Sequence, residues 1–160
     1  MEQFTVYPPF LVSHEQAALI QIAADPNRLW ERGREAYYYR SRFDLEVKKE
    51  EGSEAFNEFV AKVLLVITSE PVVIGYEACF LRFPHGSSWP DHIDPAPEGA
   101  HGHARLMGYV LGGVDTNLQI AGTPVPLRPE SAVCFRPELI PHAIRQVKND
   151  RVFWSVTVTF

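Results

Sequence analysis

The chain has 160 residues, of which 46% are hydrophobic and 12% are aromatic. This length can bury one sizeable core but not two, so we expect a single domain over residues 1–160. The formal net charge of −5 provides no broad basic field, which disfavours nucleic acid as a partner. The amino terminus lacks an export signal, and no apolar stretch approaches the roughly eighteen residues of a membrane span. We therefore expect a cytoplasmic protein with no membrane segment, whose oligomeric state these features leave open.

The first third of the chain carries two predicted helices. Ser13 and Gln16 have the spacing of a capping box, and apolar residues follow at helical intervals until Pro26 ends the pattern. A second helix is predicted after Gly52, because an apolar stripe there must pack against a sheet; the stripe is formed by Phe56, Phe59, Val60, Val63, Leu64 and Ile67. Between the helices, the aromatic-rich segment AYYYRSRFDLEV is interpreted as an edge strand.

The remainder of the chain, from about residue 71 to 160, is predicted to form a β core. Short β-rich runs alternate there with Pro, Gly and Asp: VVIGYEACFLRF, ARLMGYVL, NLQI, TPVPL, SAVCF, HAIRQV and RVFWSVTVTF. Many short strands after two helices indicate an antiparallel barrel or jelly roll with the helices on one outer face. Cys79 and Cys134 lie inside two of these runs, where a cysteine behaves as a small hydrophobe rather than a disulfide partner.

The last run has two faces of different character. Arg151, Phe153, Ser155, Thr157 and Thr159 point to one side, while the alternate positions are all apolar and point to the other. The apolar face is expected to meet the helices. The face with Arg, Ser and Thr then points inward, which predicts a polar, ligand-holding interior.

Three residues have the types and spacing of a metal site. His92 and Asp94 are separated by one residue, so both side chains leave an extended segment on the same face. His142, about fifty residues downstream, can supply a third ligand from a facing strand. Two imidazoles and one carboxylate leave positions open on the ion, which suits non-haem Fe(II) and oxygen chemistry. His101 and His103 are an alternative pair, but they offer no carboxylate.

The segment from Tyr76 to Phe160 resembles the Fe(II) and 2-oxoglutarate dependent dioxygenases, in particular their prolyl-hydroxylase-like branch. The resemblance rests on a strand ending in Arg82-Phe83-Pro84, a Gly-containing loop, His92-x-Asp94, the strand RLMGYVL, and Pro141-His142. It implies a mainly β fold with flanking helices, the double-stranded β-helix or cupin-like jelly roll. It also implies that the triad binds Fe(II), that 2-oxoglutarate and O2 are co-substrates, and that ascorbate is an optional reductant.

Arg151 follows His142 by nine positions, where members of this branch carry the Arg or Lys that pairs with the far carboxylate of 2-oxoglutarate. A turn at residues 148–150 between adjacent strands would return Arg151 to the side of the metal, and its planar guanidinium suits a carboxylate. The alternative is an exposed ion pair of Arg151 with Asp150 or Glu130, which would contribute little.

Two departures from the family pattern affect the other co-substrate contacts. Phe83 stands where many relatives have a tyrosine whose hydroxyl reaches the co-substrate, and VDTNLQI replaces the usual Gly-Gly-x-Leu segment. Ser155, which shares the inward face of Arg151, is therefore a candidate second contact, and Tyr109 is a further one. Trp89 is interpreted either as a lid or substrate-contact residue or as a cap on the sheet edge.

The resemblance implies a hydroxylase that acts on a peptidyl prolyl or similar side chain. A free amino acid or small metabolite is the alternative to a peptide or protein substrate. Two other classes stay open: a cupin-type metal protein that does not use 2-oxoglutarate, and a β-sandwich binding module whose histidines are structural. Replacing Arg151 separates the first two classes, because a cupin would be largely indifferent to the change.

Overall fold

The computed structural model describes residues 3–24, 31–32, 39–43, 54–67, 75–111 and 117–160. In chain order the elements are β1 Phe4–Tyr7, α1 Ser13–Ala23, β2 Glu31–Arg32, β3 Tyr39–Phe43, α2 Glu54–Ile67, β4 Gly75–Phe83, β5 Trp89–His92, β6 His103–Leu111, β7 Leu118–Ile120, β8 Thr123–Pro124, β9 Ala132–Phe135, β10 His142–Ile144 and β11 Arg151–Thr159. Both predicted helices are present, and each β-rich run of the predicted core contains a strand. Pro26 and Gly52, which were predicted to bound the helices, lie outside the described residues. Neither helix in these ranges is long and apolar enough to cross a membrane.

The strands form two antiparallel sheets. The larger sheet has seven strands in the order β1-β9-β6-β11-β4-β3-β2, and the smaller has four in the order β5-β10-β7-β8. From β4 onward the chain passes back and forth between the two sheets. The segment predicted as an edge strand is not at the edge, because β3 lies between β4 and the two-residue β2.

The outer face of the larger sheet packs against both helices. The apolar side of β11 shares one buried cluster with the apolar stripe of α2, as predicted; its members there are Val152, Trp154, Val156 and Val158 with Phe59, Val60, Val63 and Ile67. Trp154 lies at the centre, with its ring stacked at 6.0 Å on Phe10 and edge-on at 4.9 Å to Phe59. The side chain of Phe56 lies outside the described residues.

The N-cap of helix α1 is Val12, one residue before the predicted cap Ser13. The backbone N–H of Val12 donates to Oε2 of Glu15 at 2.9 Å, so Ser13 is already helical and the predicted Ser13–Gln16 pair does not cap the helix. The same buried carboxylate accepts a hydrogen bond from Nζ of Lys62 on α2 at 2.9 Å. Glu15 thus caps one helix and ties it to the other.

The inner face of the larger sheet faces the smaller sheet and changes character along its length. At one end it carries Arg105, Ser155 and Thr157, while the other end is filled by a second apolar cluster that includes Tyr109 and Phe153. The prediction of a polar interior is therefore right at one end, while at the other end the buried Arg151 stands beside an apolar cluster. A strand pattern fixes which residues share a face, but large side chains such as Phe153 decide where that face is dry.

Candidate active site

The three predicted metal ligands lie together. Antiparallel pairing of β5 with β10 sets His92 opposite His142, and their ring centroids are 4.2 Å apart. Asp94, just after β5, is fixed by its backbone N–H, which donates to the carbonyl of Pro137 at 2.9 Å. Potential ligand atoms of the three residues all lie within 4.8 Å of one another. His92 is the last residue of β5, a short edge strand of the smaller sheet, in line with the extended segment that the sequence predicted for it.

Backbone carbonyls orient both imidazoles. Nδ1 of His92 lies 2.8 Å from the carbonyl oxygen of Pro90, and Nδ1 of His142 lies 3.2 Å from that of Ile140. A carbonyl accepts only from an N–H, so in each neutral ring the lone pair is on Nε2, which faces Asp94. Each Nε2 is 3.5 Å from an oxygen of that carboxylate.

The environment of the triad fits a divalent cation. Nε2 of His92 is buried and has no hydrogen-bond partner among the described residues, although such atoms are normally satisfied. Burial lowers the pKa of His92, which keeps its imidazole neutral at pH 7. For Asp94, burial alone would raise the pKa, but the contact with His142 and the charge of Arg105 outweigh it and hold the pKa well below its usual range. The site therefore combines the neutral imidazole of His92 and the carboxylate of Asp94 with the Nε2 of His142 beside them.

Arg105, on β6, is a central member of the site that the sequence did not predict. Its Nη2 lies 2.7 Å from Oδ2 of Asp94, and its Nη1 lies 3.4 Å from Nε2 of His142. Its Nε donates to Oγ1 of Thr157 on β11 at 3.1 Å. Arg105 stands in the run ARLMGYVL, which reads as core. The feature of the sequence that could have identified Arg105 is its spacing of two from His103, which places both side chains on the same face of the strand.

Trp89 covers one ligand. Its indole stacks on the imidazole of His92 with ring centroids 4.1 Å apart and an interplanar angle of 24°. It is also the first residue of β5, which is the edge strand of the smaller sheet. Trp89 was interpreted as a lid or substrate-contact residue or as a cap on the sheet edge. The structure places it at the sheet edge, where its ring covers the candidate metal ligand His92.

Two cavities adjoin the triad. A cleft of about 450 Å³ is lined by Trp89, Asp94, Arg105, Ser155 and Thr157, together with residues of β4. A second cavity of only about 10 Å³ has mainly apolar walls; its lining residues include His92, His142, Phe83, Met107, Leu118 and Ile144. The open space beside the metal-ligand candidates is therefore on the polar side.

The predicted co-substrate residues fall in different places. Ser155 lines the larger cleft, but Tyr109 packs against Phe153 with ring centroids 4.6 Å apart. Arg151 is 5% exposed, which does not fit the alternative of an exposed ion pair, and it stands opposite Phe83 on β4. The turn before it joins the two sheets, not adjacent strands as predicted, because β10 and β11 belong to different sheets. Asp150 in that turn instead accepts from the backbone N–H of His85 at 2.8 Å.

The alternative histidine pair does not converge. His101 is exposed, whereas His103 is buried with its Nε2 3.6 Å from Oε2 of Glu138. Burial lowers the pKa of His103, although the charge of Glu138 opposes this. Among the described residues, the group able to hold a metal ion consists of His92, Asp94 and His142.

The fold is the double-stranded β-helix that the sequence predicted, in the form found in 2-oxoglutarate oxygenases. A prolyl-4-hydroxylase from Pseudomonas putida is 15% identical, with a TM-score of 0.72 over 99% of this chain and 93% of that one. A prolyl hydroxylase from Trichoplax adhaerens, in complex with a hypoxia inducible factor peptide fragment, is 15% identical, with a TM-score of 0.75 over 98% and 83%. HygX from Streptomyces hygroscopicus, with nickel and 2-oxoglutarate bound, is 12% identical, with a TM-score of 0.71 over 98% and 82%.

No protein-family model matches the chain, and no curated protein matches it.

Proposed function

We propose that this chain is an Fe(II) and 2-oxoglutarate dependent hydroxylase that acts as a single domain in the cytoplasm. The observation that carries the proposal is the convergence of His92, Asp94 and His142, with both Nε2 atoms aimed at the carboxylate. This donor set is the one that non-haem Fe(II) oxygenases use. The structural similarity to proteins with bound 2-oxoglutarate supports the choice of co-substrate.

Each residue of the site has a role in this proposal. His92, Asp94 and His142 hold Fe(II), which supplies the activation of O2 when it is bound. The carbonyls of Pro90 and Ile140 fix the imidazole tautomers of His92 and His142, and these contacts also hold the two rings in their orientation. Trp89 shields one ligand from water, and ascorbate would serve only to keep the iron reduced.

For the far carboxylate of 2-oxoglutarate we propose Arg151. Ser155, which lines the larger cleft, is proposed as a second contact to the co-substrate. A buried guanidinium interacts strongly with a carboxylate because little water screens the pair. The cavity near Phe83, the strand partner of Arg151, is only about 10 Å³. The co-substrate must therefore displace apolar side chains to reach Arg151. The contribution of Arg151 to the affinity for 2-oxoglutarate is measured with the Arg151→Gln variant described below.

We propose a peptidyl prolyl or similar side chain as substrate. The similar proteins from Pseudomonas putida and Trichoplax adhaerens are prolyl hydroxylases, and the second was solved in complex with a peptide fragment. A small-molecule substrate is the alternative, since HygX was also solved with hygromycin B. The cleft of about 450 Å³ has room for either a single side chain or a small molecule.

The test is an anaerobic titration with Fe(II) and 2-oxoglutarate, followed through the weak visible charge-transfer band of the complex. We expect the band in the wild type and in the control His101→Ala, which removes an exposed imidazole, but not in His142→Ala. Bound iron without a band in the wild type would refute the use of 2-oxoglutarate and favour a cupin-type metal protein. A wild type that binds no iron would favour a binding module with structural histidines.

A further inference from the structure

We infer that Arg105 binds the head carboxylate of a 2-oxo acid, which is the carboxylate next to the keto group and nearest the metal. This inference rests on the proposed function, because it concerns the same metal and co-substrate. It assigns two buried or partly buried arginines of the described residues to the two ends of one ligand: Arg105 to the head and Arg151 to the far carboxylate.

The first step is the set of hydrogen bonds made by Arg105. Nε is held by Thr157 and Nη2 by Asp94, at 3.1 and 2.7 Å, so two anchors fix the plane of the guanidinium. Nη1 lies 3.4 Å from Nε2 of His142. That nitrogen carries the lone pair that a metal would take. Metal binding therefore removes the acceptor of Nη1. Thr157 still holds Nε, and the second oxygen of the Asp94 carboxylate is available to Nη2.

The second step is the chemistry of the group that replaces this acceptor. The freed N–H groups of Nη1 face the space beside the metal, and they need an acceptor there because the side chain is only 16% exposed. A carboxylate is the natural partner, since hydrogen bonds from a guanidinium to an anion are short and strong. A 2-oxo acid that chelates the metal brings its head carboxylate to this position.

The third step is the charge of Arg105 within the cleft. The hydroxyls of Ser155 and Thr157 line the same cleft, but they are neutral donors, which bind a carboxylate less strongly than a guanidinium does. Among the described residues that line the cleft, Arg105 is the only arginine or lysine. It also lines the small cavity that holds His92 and His142, so it borders the space on both sides of the triad.

Two ligands separate the roles of the two arginines. 2-Oxoglutarate has a head and a far carboxylate, while pyruvate has the same chelating head but no far carboxylate. Loss of the Arg105 fork should weaken both ligands by a similar factor, about ten- to a hundredfold for one charge-assisted contact. Loss of Arg151 should weaken 2-oxoglutarate by a similar factor and leave pyruvate unchanged.

The experiment measures dissociation constants of both acids by anaerobic titration of the protein at saturating Fe(II), using the charge-transfer band. The variants are Arg105→Gln, Arg105→Lys and Arg151→Gln, with Arg128→Gln as a matched control at an exposed position outside the site. Iron stoichiometry is measured for each variant as proof that the site is assembled. Arg105→Lys keeps the positive charge beside Asp94 but loses the planar guanidinium with its several N–H donors. It replaces Arg105→Gln in the experiment if that variant does not fold.

Weaker binding of both acids in the Arg105 variants, with Arg128→Gln like the wild type, is the expected result. Unchanged affinity for pyruvate in Arg105→Gln or Arg105→Lys would overturn the inference, whatever happens to 2-oxoglutarate. If the wild type binds iron but neither acid, the proposed function itself fails. If the wild type binds both and the Arg105 variants match it, only this inference fails.

Discussion

Strand β11 lines the cleft of the candidate site with one face and packs on the helices with the other, and Trp154 belongs to the face that packs on the helices. Its side chain is 1% exposed, and its ring packs against those of Phe10 and Phe59 with ring centroids 6.0 and 4.9 Å apart. Trp154→Ala removes these contacts and leaves a cavity, which should lower the free energy of unfolding by about 3–5 kcal/mol. Because domains of this size are stable by only about 5–15 kcal/mol, this is a large fraction of the total.

The assay for Trp154→Ala is urea unfolding of the metal-free protein, followed by far-ultraviolet circular dichroism. Leu65→Ala is the matched control, because Leu65 lies on α2 but is 81% exposed. This variant should change the free energy of unfolding by no more than about 0.5 kcal/mol. A loss for Trp154→Ala no larger than the control would refute the packing argument. Since Trp154 points away from the triad, folded Trp154→Ala should still bind Fe(II) like the wild type.

Two further predictions concern close packing and a buried thiol. Gly108→Ala would place a methyl group 2.6 Å from the carbonyl oxygen of Ser131 and 2.8 Å from Nε1 of Trp154. We therefore expect the free energy of unfolding to fall by about 1–3 kcal/mol, measured by thermal unfolding. An unchanged Tm would contradict the close approach. Burial raises the pKa of Cys134 from 9.0 to about 11, so at pH 8 its thiolate population, and its alkylation by iodoacetamide, should be about a hundredfold lower than for an unperturbed thiol. Peptide mass mapping in native buffer and in urea measures this, and equal rates in both would contradict it.

Local spacing explains why much of the site was predictable. The alternation in residues 151–159 identifies the face of β11 that packs on the helices, because side chains of a strand point to opposite sides. In the same way, the single residue between His92 and Asp94 places their side chains on one side of an extended segment. The types of these residues then point to a metal. His142 completes the set from β10, which pairs with β5 in the same sheet and is not the facing strand that the sequence predicted.

What the sequence did not predict depends on contacts between distant segments. The pattern of HAIRQV and RVFWSVTVTF does not reveal that β10 and β11 lie in different sheets, because pairing partners are chosen by the whole fold. Arg105 reads as an isolated charge in a core strand until the sheets bring Asp94 and His142 to it. Likewise, the position of Phe153 on the inward face was predicted, but the dry cluster it forms with Tyr109 was not.

The central claim, that the triad binds a metal ion, is tested most directly by anaerobic Fe(II) binding to the wild type, Asp94→Ala and Asp91→Ala. Asp91 is a matched control because it is a nearby carboxylate whose side chain is 51% exposed and paired with Arg145. The account predicts one ion per chain in the wild type and in Asp91→Ala. It also predicts an affinity lower by about a hundredfold or more in Asp94→Ala, beyond the usual effect of losing an outer-sphere partner. Wild-type affinity in Asp94→Ala, or equal losses in both variants, would contradict the assignment of the site.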